Sequence, residues 1–198
     1  MRLTILDYGV GNLHSLAKAV ASPNVEVRLQ PDPFLALETD LLLLPGVGAF
    51  DPAAERLAPA GNAIRGALDA GLPCLGVCLG MQLLFRESEE GARPGLGVLP
   101  GRVRRIRASR VPQMGWNAVE ADAAGRLTLG DLTQAYYANS YVCEPEDPGA
   151  VLAWSEHQGD RFPAVVRRGG TLGVQFHPEK SSWPGRRFLL RWVEGARR

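Results

Sequence analysis

The chain has 198 residues, 45% of them apolar, and its 22 Lys and Arg against 21 Asp and Glu leave a formal net charge of +1. A chain of this length buries a sizeable core without a disulfide or metal to hold it. The charge balance excludes a nucleic-acid binder working through a strong electrostatic footprint, and an acidic or disordered tail.

The stretch 3–6 reads as a short strand ending in the loop Asp7-Tyr8-Gly9-Val10-Gly11, and it is too short before Asp7 for a secretory signal. Asn12 is placed to cap a helix with Leu13, Leu16, Ala17 and Val20 on one face. Residues 25–29 alternate at period two, as an exposed edge strand does. The four leucines at 41–44, closed by Pro45-Gly46, read as a strand buried on both faces. Asp51-Pro52 looks like an N-cap and first helical residue, opening a helix to about residue 69. Residues 72–77 form the next buried strand and 79–86 the next helix. The uncharged run 70–85 is broken by Gly71, Pro73, Gly76 and Gly80 and is too short to span a bilayer. In the second half, 102–107, 134–142, 151–154, 162–167 and 171–176 are strand-like, and only 184–196 looks helical. The arginines between Arg102 and Arg110 read as a solvated strand face, and Glu87, Glu89 and Glu90 as a solvated helix end. The expected fold class is α/β. It has three layers, a largely parallel central sheet with helices on both faces plus added antiparallel strands, in one domain over 1–198.

Gly76-Val77-Cys78-Leu79-Gly80 places a cysteine between two glycines at the junction of a buried strand and a helix. This is the pattern of a nucleophile elbow with sulfur in place of oxygen. The glycines remove side chains where strand and helix meet, the helix N-terminus favours a thiolate, and the Leu79 N–H is free to meet an oxyanion. The plainer alternative, a buried core cysteine, suits Cys74 and Cys143, and the odd set of three fits free thiols in a reducing cytoplasm. His14 falls in the first helix and His157 in a polar loop. His177 closes an apolar strand and is followed by Pro178 and Glu179, so in extended geometry His177 and Glu179 point to the same side. A carboxylate there can orient and stabilise an imidazolium. Gly46, Val47 and Gly48 end a central strand, where backbone N–H groups can approach a ligand. Gly9-Val10-Gly11 lacks the third glycine of a dinucleotide fingerprint. No P-loop or metal-ligand spacing is present, so no cofactor and no metal are implied. Trp116 can be core or interface on pattern alone.

Gly-Val-Cys78-Leu-Gly-Met-Gln82 with Phe-His177-Pro-Glu179 resembles the triad (class I) glutamine amidotransferases. Asp7-Tyr8-Gly9, Gly95-Leu96-Gly97, Met114-Gly115-Trp116-Asn117, Ser140-Tyr141 and Lys180-Ser181 extend the likeness over almost the whole chain. They point to the glutaminase subunits of imidazole glycerol phosphate synthase, in histidine biosynthesis. The resemblance implies that Cys78 attacks the amide of L-glutamine, that His177 serves the leaving ammonia and the water, and that Glu179 holds His177. It places Gly46, Val47, Gly48 and Leu79 around the oxyanion, and Gln82, Ser140, Tyr141 and Val142 on the substrate. It further implies a separate cyclase subunit, a (β/α)₈ barrel, as heterodimer partner, met through Asn12, Trp116, Asn117, Tyr136 and Lys180. No role for nucleic acid or membrane is implied. Gln113 and Asn139 stand where His is common in the family. Rival readings are another amidotransferase subunit (for anthranilate or pyridoxal phosphate synthesis), a free-standing cysteine hydrolase of γ-glutamyl compounds, and a regulatory module with an idle site. A 198-residue glutaminase leaves no room for a phosphate-binding synthase domain, so the acceptor has to bind elsewhere.

Overall fold

The computed structural model describes residues 1–9 and 11–196; Val10, in the loop expected after the first strand, lies outside them. The first half runs β1 (Arg2–Leu6), α1 (Leu13–Val20), β2 (Glu26–Gln30), β3 (Leu41–Leu44), α2 (Phe50–Leu57), α3 (Gly61–Asp69), β4 (Cys74–Val77) and α4 (Leu79–Gln82). The second runs β5 (Glu87–Ser88), β6 (Gly101–Arg105), β7 (Gln113–Ala118), β8 (Glu120–Ala121), α5 (Ala123–Leu129), β9 (Gln134–Asn139), β10 (Tyr141–Pro145), β11 (Val151–His157), β12 (Asp160–Arg168), β13 (Thr171–Val174) and α6 (Ser182–Gly195).

Eight strands form the central sheet in the order β2-β1-β3-β4-β13-β12-β11-β8. The first five are mutually parallel, and β12, β11 and β8 extend the sheet antiparallel. Successive strand side chains face opposite ways, which is why β3 can be all leucine. Leu41 and Leu43 pack with Leu16 and Val20 of α1 and Phe188 and Leu189 of α6. Leu42 and Leu44 pack with Phe50 and Leu57 of α2 and Ile64 of α3 on the other face. Two small sheets stand apart, β10-β6-β5 and β7-β9. The expected antiparallel strands are therefore present but divided among three sheets.

Several local expectations are corrected. Asn12 occupies the N-cap position at φ 66 without a side-chain capping bond; its amide is turned to Glu179 instead. The helix foreseen from Asp51 to residue 69 starts at Phe50 and is interrupted by a 3-10 turn over Ala58–Ala60, where Pro59 supplies no N–H. Asp51 does not cap; its carboxylate accepts from the Ala92 and Arg93 amides. The helix after Cys78 stops at Gln82 because the next carbonyls are taken from outside. Leu83 O receives the Leu96 N–H, Leu84 O those of Val98 and Leu99, and Arg86 O that of Gly95. The single strand expected over 134–142 is two strands broken at Ser140, one in each small sheet. Arg104 is not on a solvated face: its side chain is 5% exposed and paired with Asp160.

The chain leaves β1 toward β2 on one side and returns to β3 on the other, so the strand order reverses between β1 and β3. Crevices at the carboxyl ends of parallel strands beside such a reversal are where ligands bind in open α/β sheets. The carboxyl ends of β3, β4 and β13 deliver Gly46, Cys78 and His177 to that edge.

Candidate active site

Cys78 follows β4 directly and adopts φ 48, ψ −105, the left-handed side of the map that non-glycine residues avoid. Bonds on both sides hold it there: its N–H donates to Val174 O (2.7 Å), and its carbonyl accepts from the Gln82 N–H (3.1 Å). The turn brings three backbones too close for side chains. A Cβ at Gly80 would collide with the Leu44 carbonyl, and one at Gly46 would meet Cys78 Cβ at 2.8 Å. The sulfur is thereby carried into a cavity, whereas Cys74 and Cys143 are sealed in the core. Burial pushes both of those thiols well up.

His177 lies three residues beyond β13 in extended conformation, φ −99 and ψ 95. Its backbone is clamped twice: the N–H donates to Tyr136 O (2.8 Å) and the carbonyl accepts from Ser181 Oγ (2.7 Å). Glu179 sits in a 3-10 turn, Pro178–Lys180, rather than an extended segment, and the turn folds its carboxylate back so that Oε1 is 2.9 Å from His177 Nδ1. Both side chains are almost wholly buried. Nδ1 is thus engaged by Glu179, which leaves Nε2 for Cys78. Burial opposes a charged ring, but the charge on the Cys78 sulfur and its hydrogen bond, then Glu179, outweigh it and push the imidazolium pKa up to about 10.

The cavity, about 300 Å³, is lined by Gly46, Val47 and Gly48 on one rim, Cys78, Leu79 and Gln82 beside the helix start, and Ser140 and Tyr141 opposite. Gln82 Nε2 donates to Tyr141 O at 2.9 Å. Val142 lies behind that wall with its side chain in the core. Of the residues read as interface, Trp116 is exposed and makes an edge contact with Tyr136, and Lys180 Nζ lies 5.8 Å from the Tyr136 ring centre. Asn117 is bonded within the chain, its Nδ2 to Glu156 O.

Two side chains at the cavity escaped the sequence reading. Glu90, expected as a solvated helix end, lines the cavity just past β5, and burial pushes its carboxyl up. Gln175 is fully buried with Nε2 at 3.5 Å from Cys78 Sγ. The period-two rule that paired His177 with Glu179 would have found Gln175, two residues earlier on the same side. Among the described residues no three His, Cys, Asp or Glu side chains group to hold a metal ion, and no helix is long and apolar enough to cross a membrane.

The family model for class-I glutamine amidotransferases matches residues 4–193. The imidazole glycerol phosphate synthase subunit HisH of Symbiobacterium thermophilum is 46% identical over 197 residues, covering 96% of this chain and 92% of its own length. The HisH subunit of Thermus thermophilus is 45% identical over 193 residues, with 96% and 95% covered. That of a Synechococcus species is 41% identical over 202, with 98% and 94% covered. A crystal structure described as a glutamine amidotransferase superposes with a TM-score of 0.75 at 22% identity, covering 97% of this chain and 98% of that one. With an elbow cysteine facing a histidine at the carboxyl edge of its parallel strands, the chain belongs to the class-I glutamine amidotransferases, in the family of imidazole glycerol phosphate synthase HisH subunits.

Proposed function

We propose that the chain, acting as one domain, is the glutaminase subunit of a cytoplasmic imidazole glycerol phosphate synthase and feeds ammonia to a separate cyclase subunit. The observation that carries this reading is the line Cys78, His177, Glu179 at the wall of the cavity, with a 2.9 Å carboxylate–imidazole bond behind it.

The cavity offers complementary groups to L-glutamine. Its side-chain amide carbon meets Cys78 Sγ. Ser140, Tyr141 and Gln82 meet the amino-acid end, and the Glu90 carboxylate is the natural partner of an α-ammonium group. The sulfur adds to the amide carbon, and the carbonyl oxygen becomes an oxyanion facing backbone N–H groups around Gly46, Val47, Gly48 and Leu79. The C–N bond then breaks as imidazolium His177 gives its proton to the departing nitrogen. Ammonia leaves and a γ-glutamyl thioester remains. Neutral His177 next takes a proton from water, whose oxygen adds to the thioester carbon. The C–S bond breaks, glutamate departs, and thiolate and imidazolium are restored. Glu179 keeps Nδ1 protonated throughout.

Free ammonia is mostly protonated in bulk water, so delivery to an acceptor calls for a sheltered route. Exposed Met114, Trp116 and Trp183 and the Lys180–Tyr136 contact near the cavity are the kind of aromatic, apolar surface that protein interfaces bury. This supports docking of the (β/α)₈ cyclase barrel there. The test is glutamate release from L-glutamine by the chain alone and mixed with the matching barrel carrying its substrate analogue. A large rise on mixing is expected. Cys78→Ala should cut release by at least about 10³-fold yet leave the barrel's synthesis from added ammonium salts intact. Equal release with and without the barrel would replace this reading with an independent hydrolase.

A further inference from the structure

The Cys78 sulfur has a second hydrogen-bonding neighbour besides His177. Gln175 and His177 are two apart on the extended segment leaving β13, so both face the sulfur while Phe176 between them packs into the core. The backbone of Gln175 is fixed by its N–H on Ala164 O (2.9 Å). Its side chain is 0% exposed. A carboxamide in such a place has to be satisfied, and here both of its ends go to groups of the cavity rather than to the scaffold.

The direction of these bonds is dictated from outside. The Tyr141 carbonyl can only accept, so the Gln82 end facing it at 2.9 Å is Nε2. The same Nε2 lies 3.4 Å from Gln175 Oε1. With Oε1 turned to Gln82, the Nε2 of Gln175 points at Cys78 Sγ, 3.5 Å away. Gln82 Nε2 therefore donates to both the Tyr141 carbonyl and Gln175 Oε1, and the Gln175 carboxamide, accepting at its oxygen, is left to present its N–H to the sulfur.

We propose that Gln175 stabilises the Cys78 thiolate by donating from Nε2 to Sγ, as a catalytic group for the glutaminase reaction beside His177. The proposal rests on Cys78 being the nucleophile. A hydrogen bond to the charged form favours that form. The same bond serves twice: it raises the thiolate population before attack and receives the sulfur when the thioester breaks. The link to Gln82 ties the aim of this donor to the cavity wall where glutamine sits.

Other titratable groups bear on the sulfur. Tyr8, from the loop after β1, and Cys143, from β10, are kept neutral by burial. His177 and Glu179 come from the β13 side, and Glu90 and Lys180 line the cavity. None of them is replaced by a change at Gln175, and His177, whose charge answers to the sulfur, titrates with it, so a shifted midpoint of the pair traces to the carboxamide. Iodoacetamide labelling of Cys78 is followed against pH by peptide mass spectrometry in the full chain, with Cys78→Ala as the blank. Gln175→Met, close in shape and without a donor, should raise the labelling midpoint by about one pH unit and lower kcat/KM for glutamine about tenfold. Gln175→Glu, the same shape with a negative charge, should raise the midpoint further. In the wild-type chain the Gln175 side-chain amide resonances should move when Cys78 is alkylated, which needs no variant to fold. An unchanged midpoint in a variant that keeps its Tm, or unmoved resonances, overturns the proposal. Labelling as expected without any glutamate release would count against the glutaminase reading and leave the role of Gln175 standing.

Discussion

His177 is charged at neutral pH although it is buried, because the sulfur in front of it and the carboxylate behind it outweigh the loss of water. The order of those causes gives a test. Cys78→Ser removes the largest of the raising influences, so the His177 ring-proton titration should fall from about 10 toward the ordinary imidazole range, and Glu179→Gln should lower it less. A midpoint still near 10 in Cys78→Ser would mean that the histidine answers to Glu179 alone. The same shift acts on stability. The folded-state pKa lies above the free value of 6.5, so the charged ring contributes stability that is complete below 6.5 and is lost as pH rises through about 10. Urea midpoints of the wild type should decline over that alkaline window, and Cys78→Ser should flatten the decline.

At the scale of elements, Gln113 and Asn139 are one feature. They stand directly opposite each other in the β7–β9 ladder, both side chains are buried, and Gln113 Oε1 and Asn139 Oδ1 have no partner among the described residues. The Asn139 amide is aimed by Tyr141 O, which it shares with Gln82. Gln113→His or Asn139→His alone should cost about 1 kcal/mol in urea denaturation, and the double change should recover much of it, since facing residues on adjacent strands couple. Losses that simply add would show two independent positions. The pairing was beyond the sequence because β7 inverts the usual burial: its apolar Met114 and Trp116 lie on the exposed face and polar Gln113 is the buried residue. Elements of the main sheet were legible because burial on both faces demands unbroken apolar runs, as at Leu41–Leu44. The Cys78 turn was legible because close backbone approach demands glycine. Gln175 was within reach of the alternation that marks His177, whereas Glu90 was hidden because a polar residue in sequence carries no mark of whether its partners or water will satisfy it.

Across the whole molecule, the small sheet that carries Tyr141 is joined to the main sheet by a buried ion pair. Arg104 of β6 grips Asp160 of β12 with two parallel bonds, 2.7 and 2.8 Å, and Asp160 also accepts the Arg107 N–H at 2.7 Å. Asp160→Ala should lower stability by about 3 kcal/mol in urea denaturation, because a guanidinium left behind at 5% exposure keeps only the Arg105 carbonyl and one carboxylate, Glu144, itself partly in solvent. Burial works against the Asp160 carboxylate, but Arg104 and the Arg107 N–H hold it below the usual range, so its contribution is present above the ordinary carboxylate pKa and fades as pH falls. A loss under about 1 kcal/mol would mean that the two sheets are held together by their apolar contacts instead. The strand order has a consequence for how the protein is made. β13 lies between β4 and β12, so β4 has only one neighbour until residues 171–174 leave the ribosome. A nascent chain carries its nucleophile beside a bare, sticky sheet edge from residue 78 until β13 is made. The histidine follows three residues after that strand, so a fragment ending before it carries the nucleophile without its proton donor.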